Sequence, residues 1–303
     1  MDYILQTNAL VKKYGGATIL RELTMNVPKG SIYGFVGRNG AGKTTLIRVI
    51  TSLHKVTSGE YSIFGIKNSD PALAQMRKKI GAIVETPSIY LEMSARDNLL
   101  QHYKMMGQSP DRLEEILRLV ELSDTGKKKA KNFSLGMRQR LGIAFALAGN
   151  PEFLILDEPI NGLDPQGILE VRELIQKLNR EMGITILISS HILDELSKLA
   201  THYGFIEGGH IVKEMSAEEL HDACRNYVRI VTDTPDELNA ALTEMNYSFQ
   251  MTAPNEAEIF TPFSVTPFVK ALDKRGVNIV TMSLQEESLE NYFMNLIGGN
   301  RYA

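Results

Sequence analysis

The apolar run Tyr33-Gly34-Phe35-Val36 breaks off into Gly37-Arg38-Asn39-Gly40-Ala41-Gly42-Lys43-Thr44-Thr45. That segment fits the pattern G-x-x-x-x-G-K-[ST], at the point where a strand hands over to a helix expected over Thr44 to Ser52. The glycines let backbone N–H groups turn inward around a β-phosphate. Lys43 reaches the β- and γ-oxygens, and the Thr44 hydroxyl can ligate Mg²⁺. The helix directs the positive end of its dipole at the same anion. Such a chain is expected to hold a nucleoside triphosphate at the edge of an α/β sheet.

A second apolar run, Phe153-Leu154-Ile155-Leu156, ends in Asp157-Glu158-Pro159. Desolvating an unpaired carboxylate costs several kcal/mol, so a buried strand ending in two of them needs a cation or hydrogen bonds. Mg²⁺ and its waters supply both, which gives Asp157 the metal. Glu158, one residue nearer the strand's carboxyl edge, falls beside the γ-phosphate, where it can orient or deprotonate the attacking water. A third run, Ile184-Thr185-Ile186-Leu187-Ile188, leads to Ser189-Ser190-His191. Runs apolar on both faces imply a parallel sheet covered by helices, and ligands bind at the carboxyl ends of such strands. His191 is therefore placed to read the γ-phosphate, while the other five histidines read as surface or packing residues. The helix between the two runs has a marked start, with Asp164 as N-cap and Pro165 at the first position.

Composition bounds the remaining possibilities. A 303-residue chain with 43% hydrophobic residues can bury a sizeable core in one large domain or two ordinary ones. No run approaches the ~20 apolar residues of a membrane helix, and Met1-Asp2-Tyr3-Ile4-Leu5 lacks the basic start of a secretory signal. Cys224 is the single cysteine, which excludes an internal disulfide and a cysteine metal cluster and fits a reducing cytosol. The net charge of −3 divides into +2 over residues 1–225 and −5 over 226–303, so neither part resembles a nucleic-acid binder. The run Lys127-Lys128-Lys129-Ala130-Lys131 has no aromatic residues interleaved and reads as a solvated face.

The charge shift marks a boundary near Ala223 to Tyr227, hence domains 1–224 and 225–303. The first starts with an antiparallel β part, with alternation at Tyr3 to Val11 and Leu23 to Val27. It then carries a mostly parallel sheet, interrupted by a helical subdomain at about 88–150 with an amphipathic helix at Leu113 to Val120. The tail reads as strand 227–232, helix 235–245, strands 247–252 and 256–260, helix 265–275, strand 277–284 and helix 289–297. That order is the split β-α-β motif of a small α+β ferredoxin-like domain.

Gly37 to Thr45, the segment Asn132-Phe133-Ser134-Leu135-Gly136-Met137-Arg138-Gln139-Arg140, the pair Asp157-Glu158, Gly162-Leu163-Asp164 and His191 follow one another in a familiar order and spacing. In this the chain resembles the ATP-binding cassette (ABC) ATPases, P-loop NTPases that work as transporter subunits. The resemblance implies a cytoplasmic ATPase at the inner face of the membrane, held there by separate permease subunits. It also implies that two nucleotide domains, in a homodimer or heterodimer, close head to tail. Each ATP then lies between the P-loop of one and the Ser134-Leu135-Gly136 signature of the other. Tyr14 matches the aromatic on which such ATPases stack adenine; its plain alternative is a half-buried tyrosine at the Gly15-Gly16 turn.

The chain departs from the family pattern twice. Its signature has Leu135 and Met137 where the family usually has glycine and glutamine. Glu85, after the strand Ile80-Gly81-Ala82-Ile83-Val84, replaces the usual glutamine. The resemblance makes Glu85 a third Mg²⁺ ligand beside Thr44 and Asp157 and a link to the membrane partner, with a surface glutamate as the alternative. Together with the C-terminal extension, Glu85 resembles the bacitracin-resistance and lantibiotic-immunity exporter group. Three other roles are weighed. A soluble ABC protein acting on ribosomes or DNA would show two cassettes or a long basic or coiled-coil insert. An ATP-binding module that does not turn over would be expected to lose Glu158. A soluble ABC-type ATPase with a regulatory role uncoupled from transport is the remaining alternative.

Overall fold

The computed structural model describes residues 2–224, 227–285 and 289–298. The chain divides into two compact units, Met1–Ala217 and Glu218–Ala303. The division falls ahead of the boundary expected at 224 and 225; Arg225 and Asn226 lie outside the described residues. The charge shift marks where the next strand begins, not where contacts divide.

In the first unit, β1 (Tyr3–Tyr14) and β2 (Ala17–Pro28) form an antiparallel ribbon. Leu5, Leu10, Leu20, Leu23 and Met25 turn inward and are fully buried, whereas Lys13 and Arg21 stay in solvent, the alternation of a one-sided sheet. β3 (Ile32–Val36) is buried along its whole length and feeds, through the glycine loop, α1 (Lys43–Ile50). β4 (Ser58–Ile63) and β5 (Ile66–Lys67) complete a four-stranded sheet in the order β2-β1-β4-β5.

The chain continues through α2 (Leu73–Met76) and β6 (Ile80–Ile83) into three helices: α3 (Ala95–Met106), α4 (Leu113–Leu119) and α5 (Leu135–Leu147). It returns through β7 (Phe153–Asp157), α6 (Pro165–Met182), β8 (Thr185–Ser190), α7 (Leu193–Ser197), β9 (His202–Glu207) and β10 (His210–Ser216). These strands build a six-stranded sheet, order β10-β9-β3-β8-β7-β6, parallel except for β10. The carboxyl ends of β3, β7 and β8 are thus neighbours, which brings the glycine loop, Asp157-Glu158 and His191 to one edge. α6 begins as its residues dictate, with Asp164 Oδ1 accepting from Gly167 N at 3.1 Å and Pro165 at the first position.

A polar tie braces β3 from behind. The Tyr33 hydroxyl donates to Glu214 Oε1 at 2.6 Å, and the same oxygen accepts from Asn26 N at 2.8 Å. Burial, with the Glu214 carboxylate beside it, pushes the Tyr33 hydroxyl well above the ordinary tyrosine range, so it stays a donor.

The second unit begins within α8 (Ala217–Ala223) and runs β11 (Tyr227–Thr232), α9 (Pro235–Glu244), β12 (Phe249–Ala253), β13 (Glu256–Ile259), α10 (Val265–Asp273), β14 (Ile279–Gln285) and α11 (Leu289–Gly298). The sheet is antiparallel in the order β12-β13-β11-β14, as a ferredoxin-like βαββαβ chain requires. Two strands start two residues later than the alternation predicts. Tyr247 N closes α9 on Leu242 O, and Val277 N closes α10 on Leu272 O after Gly276 turns at φ +77°.

Candidate active site

Two glycines let the loop after β3 lie flat on its neighbours. A Cβ on Gly37 would sit 2.5 Å from the Ile206 carbonyl oxygen, and one on Gly42 2.9 Å from Leu20 Cδ2, with Gly42 also at φ +117°. Lys43, the first residue of α1, is buried to 6% exposure. Its ammonium donates to Gly37 O at 2.7 Å and Arg38 O at 3.4 Å, and lies 3.3 Å from Glu158 Oε1.

The carboxylates at the end of β7 face different surroundings. Asp157 is 4% exposed, and its Oδ1 accepts from the Ser189 hydroxyl at 2.5 Å. The Ser189 hydroxyl oxygen in turn accepts from Glu158 N at 2.9 Å, pinning the backbone as it leaves the sheet. Glu158 occupies left-handed backbone at φ +50°, uncommon for a residue with a side chain and costing of order 1–3 kcal/mol. The turn aims its carboxylate sideways, between Lys43 and His191. Glu158 Oε2 is 2.8 Å from His191 Nδ1, so a continuous chain Lys43–Glu158–His191 crosses the carboxyl edge of the sheet. It sets a cation, a carboxylate and an imidazole side by side, a combination that can serve phosphoryl transfer to water.

A cleft of about 440 Å³ opens over this chain. Asn39, Gly40, Gly42, Lys43, Thr44 and Thr45 line one side, with Glu158 and His191 across from them and Tyr14 at the mouth. Gly37, Arg38 and Ala41 belong to the same loop but do not line the cleft, and Asp157 lies beneath it. The Tyr14 hydroxyl hydrogen-bonds His54 Nδ1, and Lys12 Nζ lies 4.7 Å from the ring centroid. His54, read from sequence as a surface or packing residue, thus orients the aromatic at the mouth.

Glu85 does not line the cleft. It is also in left-handed backbone, at φ +62°, and its carboxylate pairs with Arg48 of α1, a cation the sequence reading did not connect to it. Ser134, Leu135 and Gly136 lie outside the cleft too, at the start of α5, where the Ser134 hydroxyl caps Met137 N at 3.2 Å. Leu135 is 48% exposed, and a Cβ on Gly136 would meet only ordinary contacts, the nearest at 3.5 Å. Sequence reasoning also passed over Ser189 and Asn161. Ser189 had a signal, as a polar residue closing a buried strand. Asn161, which lines the cleft, had none.

The sequence profile of the family described as ABC transporter matches residues 20–161. The bacitracin transport ATP-binding protein BcrA of Bacillus licheniformis is 41% identical over 304 residues, 99% of each chain. The lantibiotic transport ATP-binding protein SrtF of Streptococcus pyogenes is 44% identical over 228 residues, 74% of this chain and 97% of its own. Among solved structures, the dimeric post-hydrolysis state of the ATP-binding cassette MJ0796, bound to ADP and Pi, superposes with a TM-score of 0.62. It is 26% identical and covers 70% of this chain and 98% of its own.

Proposed function

The chain belongs to the ABC transporter family as an ATP-binding, ATP-hydrolysing subunit, and from that footing we propose that it drives export of an antimicrobial peptide through separately encoded permeases. The peptide class comes from its likeness to BcrA and SrtF. The observation that carries the chemistry is the Lys43–Glu158–His191 chain across the carboxyl edge of the sheet. Lys43 and the loop amides hold the β- and γ-phosphates. Glu158 takes the proton of the attacking water, and His191 meets the γ-phosphate while orienting Glu158. The intact Glu158 favours turnover over a regulatory role in which ATP is merely held.

Mg²⁺ suits the oxygen donors beside the loop. Asp157 has Oδ2 left once Ser189 takes Oδ1, and the Thr44 hydroxyl has no hydrogen-bond partner among the described residues. Asp157 and Thr44 would hold the ion there, and it would supply positive charge against the negative charge that develops as the phosphoryl group transfers. ABC cassettes pair and work with permeases. Here Ser134 to Gly136 would complete the cleft of a second copy, because they stand outside their own. Subunits assembled in this way place the chain at the inner face of the cell membrane.

A groove of about 670 Å³ runs beside the Glu85 loop. Leu53, Val84, Tyr90, Met105 and Phe145 line it, and no lysine, arginine, aspartate or glutamate does. His102 stacks on Phe145 at 4.9 Å, and burial lowers its pKa against the pull of a hydrogen bond to the Phe145 backbone. The groove thus presents a neutral, apolar wall that fits the apolar face of a permease helix. Resistance to bacitracin and to a lantibiotic, in a sensitive host expressing the chain with its permeases, tests the function. The parent should protect against at least one. Glu85→Ala should lose most of that protection while ATP binding and basal hydrolysis stay within about threefold, with Glu85→Gln milder. A parent that protects against neither peptide contradicts the proposed cargo, and full protection by Glu85→Ala removes the coupling role.

A further inference from the structure

The starts of α5 and α6 lie side by side. A Cβ on Gly136 would meet Gly167 Cα at 3.5 Å, and one on Gly162 would meet Leu135 Cδ2 at 3.5 Å. About one turn further along both helices, Arg140 Nη2 lies 3.2 Å from Glu170 Oε2. Arg140 is buried, and its Nη1 donates to Val120 O at 3.2 Å, Glu121 O at 3.4 Å and Glu121 Oε2 at 3.0 Å. One guanidinium therefore fastens α5 to the end of α4 on one side and to α6 on the other.

Stability alone accounts poorly for this choice of residues. Arg140 is buried and Glu170 only partly so, at 29% exposure. Burying the guanidinium loses in desolvation much of what the pair gains in attraction, where an apolar side chain of the same volume often serves as well. Arg140 Nε is also buried with no partner among the described residues, a further cost. What a charged fork adds is register, since it fits in only one alignment of the two helices. We infer that Arg140 and Glu170 are positioning residues that hold the Ser134–Gly136 signature and the Gly162–Asp164 turn as one rigid edge for a second copy to close upon. The inference rests on the proposed pairing of cassettes.

ATPase rate per molecule against protein concentration, measured on the full chain, tests it. The parent rate should rise with concentration as copies pair. Glu170→Gln should need about tenfold more protein to reach half its maximal rate, with ADP affinity within about twofold of the parent, since the phosphate loop is untouched. Arg140→Lys, which keeps the charge but not the fork, should fall between them, and Glu170→Asp serves where Glu170→Gln fails to fold. Parent-like concentration dependence in Glu170→Gln, even with a lowered melting temperature, would reduce the pair to a structural bolt and overturn the inference. A flat dependence in the parent would instead remove the pairing itself, and this inference with it.

Discussion

Glu158→Gln should slow steady-state ATP hydrolysis by 10²–10⁴-fold, the contribution of a general base. That is about 3–5 kcal/mol of barrier at 1.36 kcal/mol per decade. The amide keeps the size of the side chain and can still bond the His191 ring, so the edge of the sheet should hold its shape. It cannot take a proton from water. Nucleotide affinity should stay at or above the parent's, because replacing the carboxylate removes a negative charge that lies 3.3 Å from Lys43. A rate within a few-fold of the parent would take the base role away from Glu158.

Lys43→Ala should fail at an earlier step, with ATP and ADP binding weakened by roughly 10²–10³-fold, as expected when one member of a desolvated charge pair is truncated. The ammonium is held by two loop carbonyls and Glu158, so the fold fixes its position where the proposed phosphate would lie. Its removal leaves those carbonyls and the Glu158 carboxylate facing the anion without a cation. Calorimetric titration separates the two variants: Glu158→Gln binds without turnover, and Lys43→Ala does neither. Undiminished affinity in Lys43→Ala would contradict the phosphate-loop assignment.

The two variants fall on residues legible in sequence because their chemistry is local. A glycine loop after an apolar strand, and a carboxylate pair ending another, have few uses besides a phosphate and its metal. Four strands of the six-stranded sheet, β3, β6, β7 and β8, were legible for the same reason, as apolar runs, whereas β9 and β10 went unread. Contacts across the fold were not. Glu85 meets Arg48 and Arg140 meets Glu170 only once helices and strands are packed, and neither pair has a spacing that marks it. Ser189 could be seen but not its two bonds, which need β7 and β8 in register. The left-handed turn at Glu158 was also hidden, since a glutamate carries no backbone preference for it.

Sedimentation of Glu158→Gln, with and without Mg-ATP, tests most directly whether the chain works as a nucleotide-gated pair. Each complete site would join the Lys43–Glu158–His191 edge of one copy to Ser134 and Gly136 of the other, and filling both sites with uncleaved nucleotide adds binding energy only to the closed form. The mass should be that of one chain without nucleotide and of two with Mg-ATP, returning to one when Lys43→Ala is added. A single-chain mass at saturating Mg-ATP and high protein concentration would contradict it.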